Sequence, residues 1–343
     1  MHVFTGPYGI VSLGEIGMLV MGTKTHRRAR SWRKTPNFFG QISRRNICIG
    51  GGVALLAGLC NPSRLTAEVD DIIMRAIPST GEALPLVGLG SWITFNVGQE
   101  ATLLERCAAV VRAFFAGGGQ LIDCSPMYGS SQATIGYALS KLGEPATLFS
   151  AEKVWTSARG EGQIERSRAH WNVPGFDLIQ VHNLVGWQSQ LALLREMKAD
   201  GRLRYIGITT SHGLRHDEVA RILEKHRVDF VQLTYNAIDR KIERRLLPLA
   251  QDQGVAVIAN RPYRQGQLLR HVERQPLPEW AKEVGASSWA QFLLKFVISH
   301  PGIACAIPAT TRVDHVEENL KCATGVLPDL RLRERMANYV GRI

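Results

Sequence analysis

Acidic residues are nearly missing from the first part of the sequence. Residues 1–67 contain nine Lys and Arg against the single acid Glu15, and so carry +8 of the formal net charge of +11. The rest of the chain is therefore close to neutral and lacks the basic stripe that phosphate backbones require. This distribution argues against nucleic acid as a partner of the folded body.

The first part also lacks an apolar run long enough for a membrane span. Its apolar stretch, residues 47–59, is too short to cross about 30 Å of hydrocarbon comfortably as a helix. Arg44 and Arg45 lie directly before it, and this order resembles a twin-arginine export signal. We therefore expect residues 1–67 to be a leader read by the twin-arginine (Tat) export machinery, which predicts a periplasmic protein. The alternative is a buried helix or an untranslated stretch, which would leave the protein in the cytoplasm.

Cysteine pairs with CxxC spacing are absent from the sequence. Two of the six cysteines fall in the leader, and the other four are Cys107, Cys124, Cys305 and Cys322. These four lie far apart and show no metal-ligand spacing, so we expect buried reduced thiols and no metal site.

Low-complexity tracts and internal repeats are also absent. A chain of 343 residues that is 45% hydrophobic and 21% charged has the composition of a globular protein. One large domain over residues 68–343 is compatible with this length, because α/β barrels reach about 250 residues as a single unit.

Short apolar runs alternate with longer amphipathic stretches about eight times from residue 70 onward. This order predicts parallel strands joined by crossover helices. The predicted strands are 86–90, 120–124, 147–154, 177–183, 205–210, 230–236, 255–261 and 304–309. An open doubly wound sheet would usually show a GxGxxG turn after its first strand, and none is present. The pattern therefore favours an α/β fold of the (β/α)8 TIM barrel type. Residues 74–88 are expected to form a short N-terminal β-hairpin, with "STGE" as its turn, that closes the barrel floor.

Four ionisable residues lie at or just past the ends of three predicted strands: Asp123, Tyr128, Lys153 and His182. Separately, they could be a helix cap, a packing ring, a solvated lysine and a core histidine. Together they lie at one rim, because the carboxyl ends of parallel barrel strands meet there. Charged groups are costly in strands that are otherwise apolar, so a lysine beside an aspartate is best explained as an ion pair.

Several segments in order resemble the aldo-keto reductase family: "LPLVGLGSW", "IDCSPMYGSS", "KVW", "DLIQVHN", "YIGITT", "QLTYN" and "IPATTRVDHVEENL". The resemblance maps the family's catalytic tetrad onto Asp123, Tyr128, Lys153 and His182. It implies reduction of an aldehyde or ketone to an alcohol, or the reverse. Tyr128 would donate the proton, and Lys153, held by Asp123, is expected to lower the pKa of Tyr128. His182 would orient or polarise the carbonyl oxygen.

The resemblance also implies a nicotinamide cofactor, NADPH in preference to NADH. Arg312 is the expected partner of the 2′-phosphate, since the two positions that are often Lys and Arg in the family are here Ala309 and His315. Asn260 replaces the family's stacking aromatic. The cofactor-binding residues are expected to be Gly90, Ser91, Trp92, Asp123, Thr209, Thr210, Gln232, Asn260, Arg261, Ala309, Thr310, Arg312, His315, Glu318 and Asn319. Among them, the resemblance assigns Thr209, Thr210 and Gln232 to the carboxamide of the nicotinamide. It assigns the last motif to the adenosine end, with Glu318 and Asn319 as the adenine contacts.

The substrate pocket is expected to be walled by Trp92, Met127 and Trp155, which suit an apolar or aromatic carbonyl. A different hypothesis keeps the same residues in a nucleotide-sensing binding module with little turnover. Nucleotide oxidation in the presence of carbonyl compounds separates the two.

Overall fold

The computed structural model describes residues 71–143 and 145–343. The predicted leader, with Arg44 and Arg45, lies outside these residues. The described strands are β1 (Met74–Ala76), β2 (Ala83–Pro85), β3 (Leu89–Gly90), β4 (Leu121–Asp123), β5 (Phe149–Val154), β6 (Phe176–His182), β7 (Leu203–Thr209), β8 (Phe230–Thr234), β9 (Ala256–Asn260) and β10 (Cys305–Ala306).

The helices alternate with the strands of the barrel. The described α-helices are α1 (Ala101–Ala116), α2 (Ser131–Leu142), α3 (Glu161–Trp171), α4 (Trp187–Ala199), α5 (His216–Lys225), α6 (Leu246–Asp252), α7 (Gln267–Val272), α8 (Trp289–Ile298), α9 (Val313–Lys321) and α10 (Leu330–Val340). Short 3-10 helices cover Lys241–Arg244 and Glu279–Val284. No helix in the described ranges is both long and apolar enough to cross a membrane.

Strands β3 to β10 are parallel and follow one another around a single sheet. The two end strands meet through parallel bridges between Val87 and Ala306 and between Gly90 and Ala309. At this seam a Cβ on Gly90 would lie 2.8 Å from the Ile307 carbonyl oxygen, so only glycine fits. The predicted (β/α)8 barrel is confirmed, and the open doubly wound sheet is excluded.

The predicted hairpin is also present. Strands β1 and β2 pair antiparallel, and Gly81 in the turn has φ of 78°. Ile77 and Leu84 are fully buried and join the apolar cluster inside the barrel, which contains Phe149 and Phe230. The hairpin therefore closes the floor, and the opposite rim holds the carboxyl ends of the strands.

The outer helices pack through the apolar stripe that the sequence predicts. In α1 the buried positions include Cys107, Val110, Val111 and Phe114, which recur at three- and four-residue spacing. Glu100 caps the helix by accepting from the amides of residues 102 and 103, at 3.0 Å and 2.9 Å. The four cysteines of the barrel are buried and free, as expected.

Candidate active site

A cavity of about 350 Å³ opens at the carboxyl rim of the barrel. It gathers residues from loops that are far apart in sequence. The predicted site residues that line it are Gly90, Ser91, Trp92, Asp123, Met127, Tyr128, His182, Thr209, Gln232, Asn260, Arg261 and Ala309. Lys153, Trp155, Thr210, Thr310, Arg312, His315, Glu318 and Asn319 do not line it.

Lys153 and Asp123 form a buried ion pair at the base of the site. Lys153 Nζ donates to Asp123 Oδ2 at 2.6 Å and to the Cys124 carbonyl oxygen at 2.6 Å. The exposed fractions of the two residues are 0% and 2%. Gln232 Nε2 donates to the other carboxylate oxygen of Asp123 at 2.8 Å. The pair predicted from the sequence is therefore present, with its polar atoms satisfied by neighbours.

Desolvation acts to lower the pKa of Lys153, but the charges of Asp123 and Tyr128 more than offset it and hold the pKa above its ordinary value. Lys153 is therefore a permanent cation under the ring of Tyr128, with Nζ 5.1 Å from the ring centroid. The charge of Lys153 therefore acts to lower the pKa of Tyr128, as the predicted chemistry requires.

The pKa of Tyr128 departs from the expectation. Burial raises it above its ordinary value, and the charge of Lys153 opposes burial without overcoming it. The expected net lowering of this pKa was wrong for the protein alone, because desolvation of the phenolate outweighs the nearby ammonium. Tyr128 is thus fully protonated at neutral pH.

His182 lines the cavity beside Tyr128. The two rings meet edge to face, with centroids 5.8 Å apart. Burial lowers the pKa of His182 to about 3, and the charge of Lys153 acts in the same direction. His182 is therefore neutral at physiological pH and acts as a hydrogen-bonding group, not as a cation.

Three residues near the tetrad were missed by the sequence reasoning. Ser125 Oγ lies 2.7 Å from His182 Nδ1, and Gln180 Nε2 is 3.4 Å from Asp123 Oδ1. Glu152 lies next to Lys153 in β5 and is fully buried. Glu152 and Gln180 could have been found from the sequence, because each is a polar residue within an otherwise apolar predicted strand. Ser125 lies in the segment "IDCSPMYGSS", but a serine in a loop does not by itself indicate a functional role.

Glu152 occupies the opposite face of β5 from Lys153, because side chains alternate along a strand. Its carboxylate accepts from Gln132 Nε2 at 2.9 Å and from Trp171 Nε1 at 2.8 Å. Burial raises the pKa of Glu152 to about 7, even though these donors and the charge of Lys153 favour ionisation. Two buried acids therefore share one buried lysine.

The predicted carboxamide-binding residues form a connected network. Thr209 Oγ1 donates to Gln232 Oε1 at 3.3 Å. Asn260 Oδ1 accepts from Thr234 Oγ1 at 2.7 Å, and Asn260 Nδ2 donates to the Thr210 carbonyl oxygen at 3.0 Å. Asn260 is committed to joining neighbouring strands, which agrees with the prediction that it provides no stacking surface.

Arg261 follows Asn260 and lines the cavity. Its Nη1 contacts His212 Nε2, and its Nε is buried without a hydrogen-bond partner among the described residues. Desolvation and the charge of Arg261 lower the pKa of His212. A cation with a free buried donor in a cavity can hold an anionic group of a ligand.

The residues predicted for the adenosine end lie around the start of α9. Arg312 makes two hydrogen bonds to Asp314, with Nε 3.0 Å from Oδ1 and Nη2 2.5 Å from Oδ2. Arg312 therefore has a partner already, and a phosphate would have to compete with a carboxylate. His315 Nδ1 lies 3.4 Å from Thr310 Oγ1.

The two predicted adenine contacts also have partners within the protein. Asn319 is buried and accepts from Tyr263 Oη at 2.6 Å. Glu318 accepts from Ser288 Oγ at 2.5 Å. Their role in adenine binding stays a prediction.

Two of the three predicted substrate-wall residues, Trp92 and Met127, line the cavity. Trp155 does not line it, but its ring centroid lies 6.4 Å from that of His182. Ile93, which the sequence did not single out, also lines the cavity and is 62% exposed. The mouth is therefore largely apolar.

Residues 86–334 match the sequence profile of the aldo/keto reductase family. The chain is 30% identical over 246 residues to the methylglyoxal reductase YeaE of Escherichia coli, covering 69% of this chain and 84% of that protein. It is 27% identical over 243 residues to the NADH-specific methylglyoxal reductase of Escherichia coli, covering 61% of this chain and 73% of that protein.

Solved structures show the same architecture. An aldo/keto reductase from Klebsiella pneumoniae in complex with NADP and acetate is 25% identical, with a TM-score of 0.64, over 75% of this chain and 93% of that chain. Another from Klebsiella pneumoniae, in complex with NADPH, has a TM-score of 0.66 at 24% identity, over 79% of this chain and 96% of that one. With a family match that extends from the first barrel strand into the last helix, this protein belongs to the aldo/keto reductase family.

Proposed function

We propose that the protein is an NADPH-dependent oxidoreductase that reduces an aldehyde or ketone to an alcohol and runs in reverse when the alcohol is in excess. The observation that carries this proposal is the arrangement of the tetrad. Tyr128 and His182 face one cavity, while the buried pair of Lys153 and Asp123 lies beneath Tyr128.

The cavity offers groups that suit the nicotinamide and phosphate parts of a dinucleotide. Arg261 offers a buried Nε without a partner, which suits a phosphate, and Thr209 and Gln232 offer hydroxyl and amide groups that suit a carboxamide. The NADP and NADPH complexes of the Klebsiella proteins support this assignment. When bound, the nicotinamide supplies the hydride for the carbonyl carbon.

NADPH is the preferred cofactor in this proposal, and NADH is also accepted. The ion pair between Arg312 and Asp314 is exposed, so a 2′-phosphate can displace the carboxylate. The match to an NADH-specific relative supports use of the second nucleotide.

The residues of the chain provide the proton and the charge stabilisation. Tyr128 is protonated at neutral pH because burial raises its pKa, so its hydroxyl can donate to the carbonyl oxygen. The ammonium of Lys153 stabilises the phenolate that this transfer leaves. Asp123 holds that ammonium in place, and neutral His182 makes a hydrogen bond to the substrate oxygen.

The substrate is proposed to be a small or aromatic carbonyl compound. Trp92, Ile93 and Met127 give the mouth an apolar lining, and both matched Escherichia coli proteins are methylglyoxal reductases. Methylglyoxal and a set of aromatic aldehydes are therefore the first compounds to test.

The test is consumption of NADPH and NADH, followed at the nicotinamide absorbance band, with this panel of carbonyl compounds. Tyr128→Phe should lower turnover by at least about 100-fold while nucleotide binding, followed by fluorescence titration, is retained. A variant that keeps more than about a tenth of wild-type turnover would exclude Tyr128 as the proton donor. Nucleotide binding without turnover in the wild type would favour the nucleotide-sensing module.

We also propose that the leader directs twin-arginine export to the periplasm. Arg44 and Arg45, followed by a short apolar run, support this. Folding before export would allow the protein to bind its dinucleotide in the cytoplasm.

A further inference from the structure

Ser125 lies near the start of the loop between β4 and α2, two residues after Asp123. It is fully buried. Its carbonyl oxygen accepts from the Tyr128 amide at 3.0 Å, and its hydroxyl oxygen accepts from the Met127 amide at 3.2 Å. The same hydroxyl lies 2.7 Å from His182 Nδ1. One residue therefore shapes the loop that carries Tyr128 and contacts the ring of His182.

The direction of the bond between Ser125 and His182 follows from counting donors and acceptors. A serine hydroxyl has one proton to donate. In residues 71–143 and 145–343, the only group besides the Met127 amide within hydrogen-bond distance of this hydroxyl is His182 Nδ1. A proton on Nδ1 would leave this buried hydroxyl proton without an acceptor, whereas an unprotonated Nδ1 accepts it, so the hydroxyl proton is directed at Nδ1. A neutral imidazole that accepts at Nδ1 carries its own proton on Nε2.

We propose that Ser125 is a positioning residue that fixes the tautomer of His182, so that Nε2 carries the proton and serves as the donor toward the cavity. This inference rests on the proposed carbonyl reduction for its consequence, while the tautomer itself is a property of the protein alone.

The tautomer matters because a carbonyl oxygen is an acceptor. With the proton on Nε2, His182 and the Tyr128 hydroxyl both present donors to one oxygen. With the proton on Nδ1, His182 would present a lone pair to that oxygen and repel it. Burial and the charge of Lys153 lower the pKa of His182, so the ring is neutral and only one of its two nitrogens carries a proton. Which nitrogen carries it therefore decides whether His182 donates to the substrate oxygen.

The direct test is nitrogen NMR of the full-length protein labelled with 15N-histidine, at pH 7, without nucleotide or carbonyl compound. The sequence contains ten histidines, so the His182→Asn spectrum identifies the signals of His182. We expect a protonated Nε2 and an unprotonated Nδ1 in the wild type. In Ser125→Ala the two tautomers should mix or reverse, and in Ser125→Thr, which keeps the hydroxyl, the wild-type tautomer should return.

Turnover measurements connect the tautomer to catalysis. Ser125→Ala should lower kcat for carbonyl reduction by about 10- to 100-fold, with an unchanged KM for the nucleotide, because a donor to the substrate oxygen is lost. Ser125→Thr should recover most of kcat. Thr134→Val, which removes another fully buried hydroxyl, in α2, is the control and should leave the spectrum of His182 as it is.

The outcomes separate this inference from the proposed function. A protonated Nδ1 in the wild type overturns the inference even if Ser125→Ala does not fold. A Ser125→Ala variant with the wild-type tautomer and kcat overturns it as well. Failure of the wild type to reduce any carbonyl compound refutes the proposed function instead, since the tautomer is measured without substrate.

Discussion

Removing either partner of the buried ion pair between Lys153 and Asp123 should destabilise the protein strongly, and loss of the lysine should cost more than loss of the aspartate. In Lys153→Met, Asp123 loses its ammonium partner, while Glu152 on the other face of β5 loses a nearby positive charge. In Asp123→Asn, Lys153 keeps the Cys124 carbonyl oxygen at 2.6 Å and the field of Glu152. Lys153→Met therefore leaves two buried carboxylates, Asp123 and Glu152, without a nearby positive charge. Asp123→Asn leaves the buried ammonium of Lys153 with the Cys124 carbonyl oxygen and the charge of Glu152.

The magnitudes follow from this difference. Breaking a buried pair from one side costs about 3–5 kcal/mol, and Lys153→Met should lie at the upper end of that range. Asp123→Asn should cost about 1.5–3 kcal/mol, the range for loss of a hydrogen bond to a charged group. The double variant should be less destabilised than the sum of the two single ones, since it leaves only Glu152 without a counterion.

Urea denaturation of the four proteins at pH 8, followed by tryptophan fluorescence, measures these differences in the free energy of unfolding. Arg202→Met is a matched control, because it breaks an ion pair of similar length, 2.7 Å to Glu161, that is exposed. The free energy of unfolding of that variant should be close to that of the wild type, because exposed ion pairs contribute little to stability. Single variants within about 1 kcal/mol of the wild type, or strictly additive effects, would refute the account of a desolvated, mutually dependent pair.

Three further predictions concern other parts of the chain. Because the folded pKa of Glu152 is raised to about 7 from 4.5, its contribution to stability is present below pH 4.5 and is lost as the pH rises through 7. The difference in unfolding free energy between Glu152→Gln and the wild type should therefore shift by about 2–3 kcal/mol in favour of the variant from pH 4.5 to pH 8, and parallel profiles would contradict this. Asp314→Asn frees Arg312 and should raise the affinity for NADPH relative to NADH by about two- to fivefold in fluorescence titration; equal changes for both nucleotides would show that Arg312 does not hold the 2′-phosphate. Replacing Arg44 and Arg45 together by Lys should leave an active protein in the cytoplasm, since lysine keeps the charge but not the paired guanidinium groups, and an unchanged distribution on fractionation would exclude twin-arginine export.

The barrel and the convergence of the four tetrad residues at one rim could be predicted from the sequence because both follow from periodicity, whereas the catalytic roles of these residues were implied by the family resemblance. Apolar runs at regular spacing place the strands, and polar residues at their carboxyl ends then share a rim without further information. Asp123 and His182 lie far apart in the chain, yet this rule places them together. The distances between these residues and their burial cannot be read from the sequence. For this reason the predicted lowering of the pKa of Tyr128 was wrong.

Other features depend on contacts that periodicity does not encode. Arg312 was expected to bind the 2′-phosphate, and its ion pair with Asp314, two residues away, was not predicted, because a sequence pattern does not show which charged side chains face each other. The contact of Ser125 with His182 joins two strand ends through side chains alone. Glu152 follows the alternation of β5, but its donors Gln132 and Trp171 come from helices whose packing the sequence does not specify.

The glycine seam between β3 and β10 also has a consequence for how the chain folds. It pairs Val87 with Ala306, so the first and last barrel strands meet only after nearly the whole barrel has been synthesised. Contacts of such long sequence separation carry a large loop-closure entropy and form slowly. Until the seam forms, both end strands present unpaired edges that favour aggregation. A ribosome-bound chain therefore cannot close the barrel until synthesis passes β10, and any export in the folded state must wait for that final pairing.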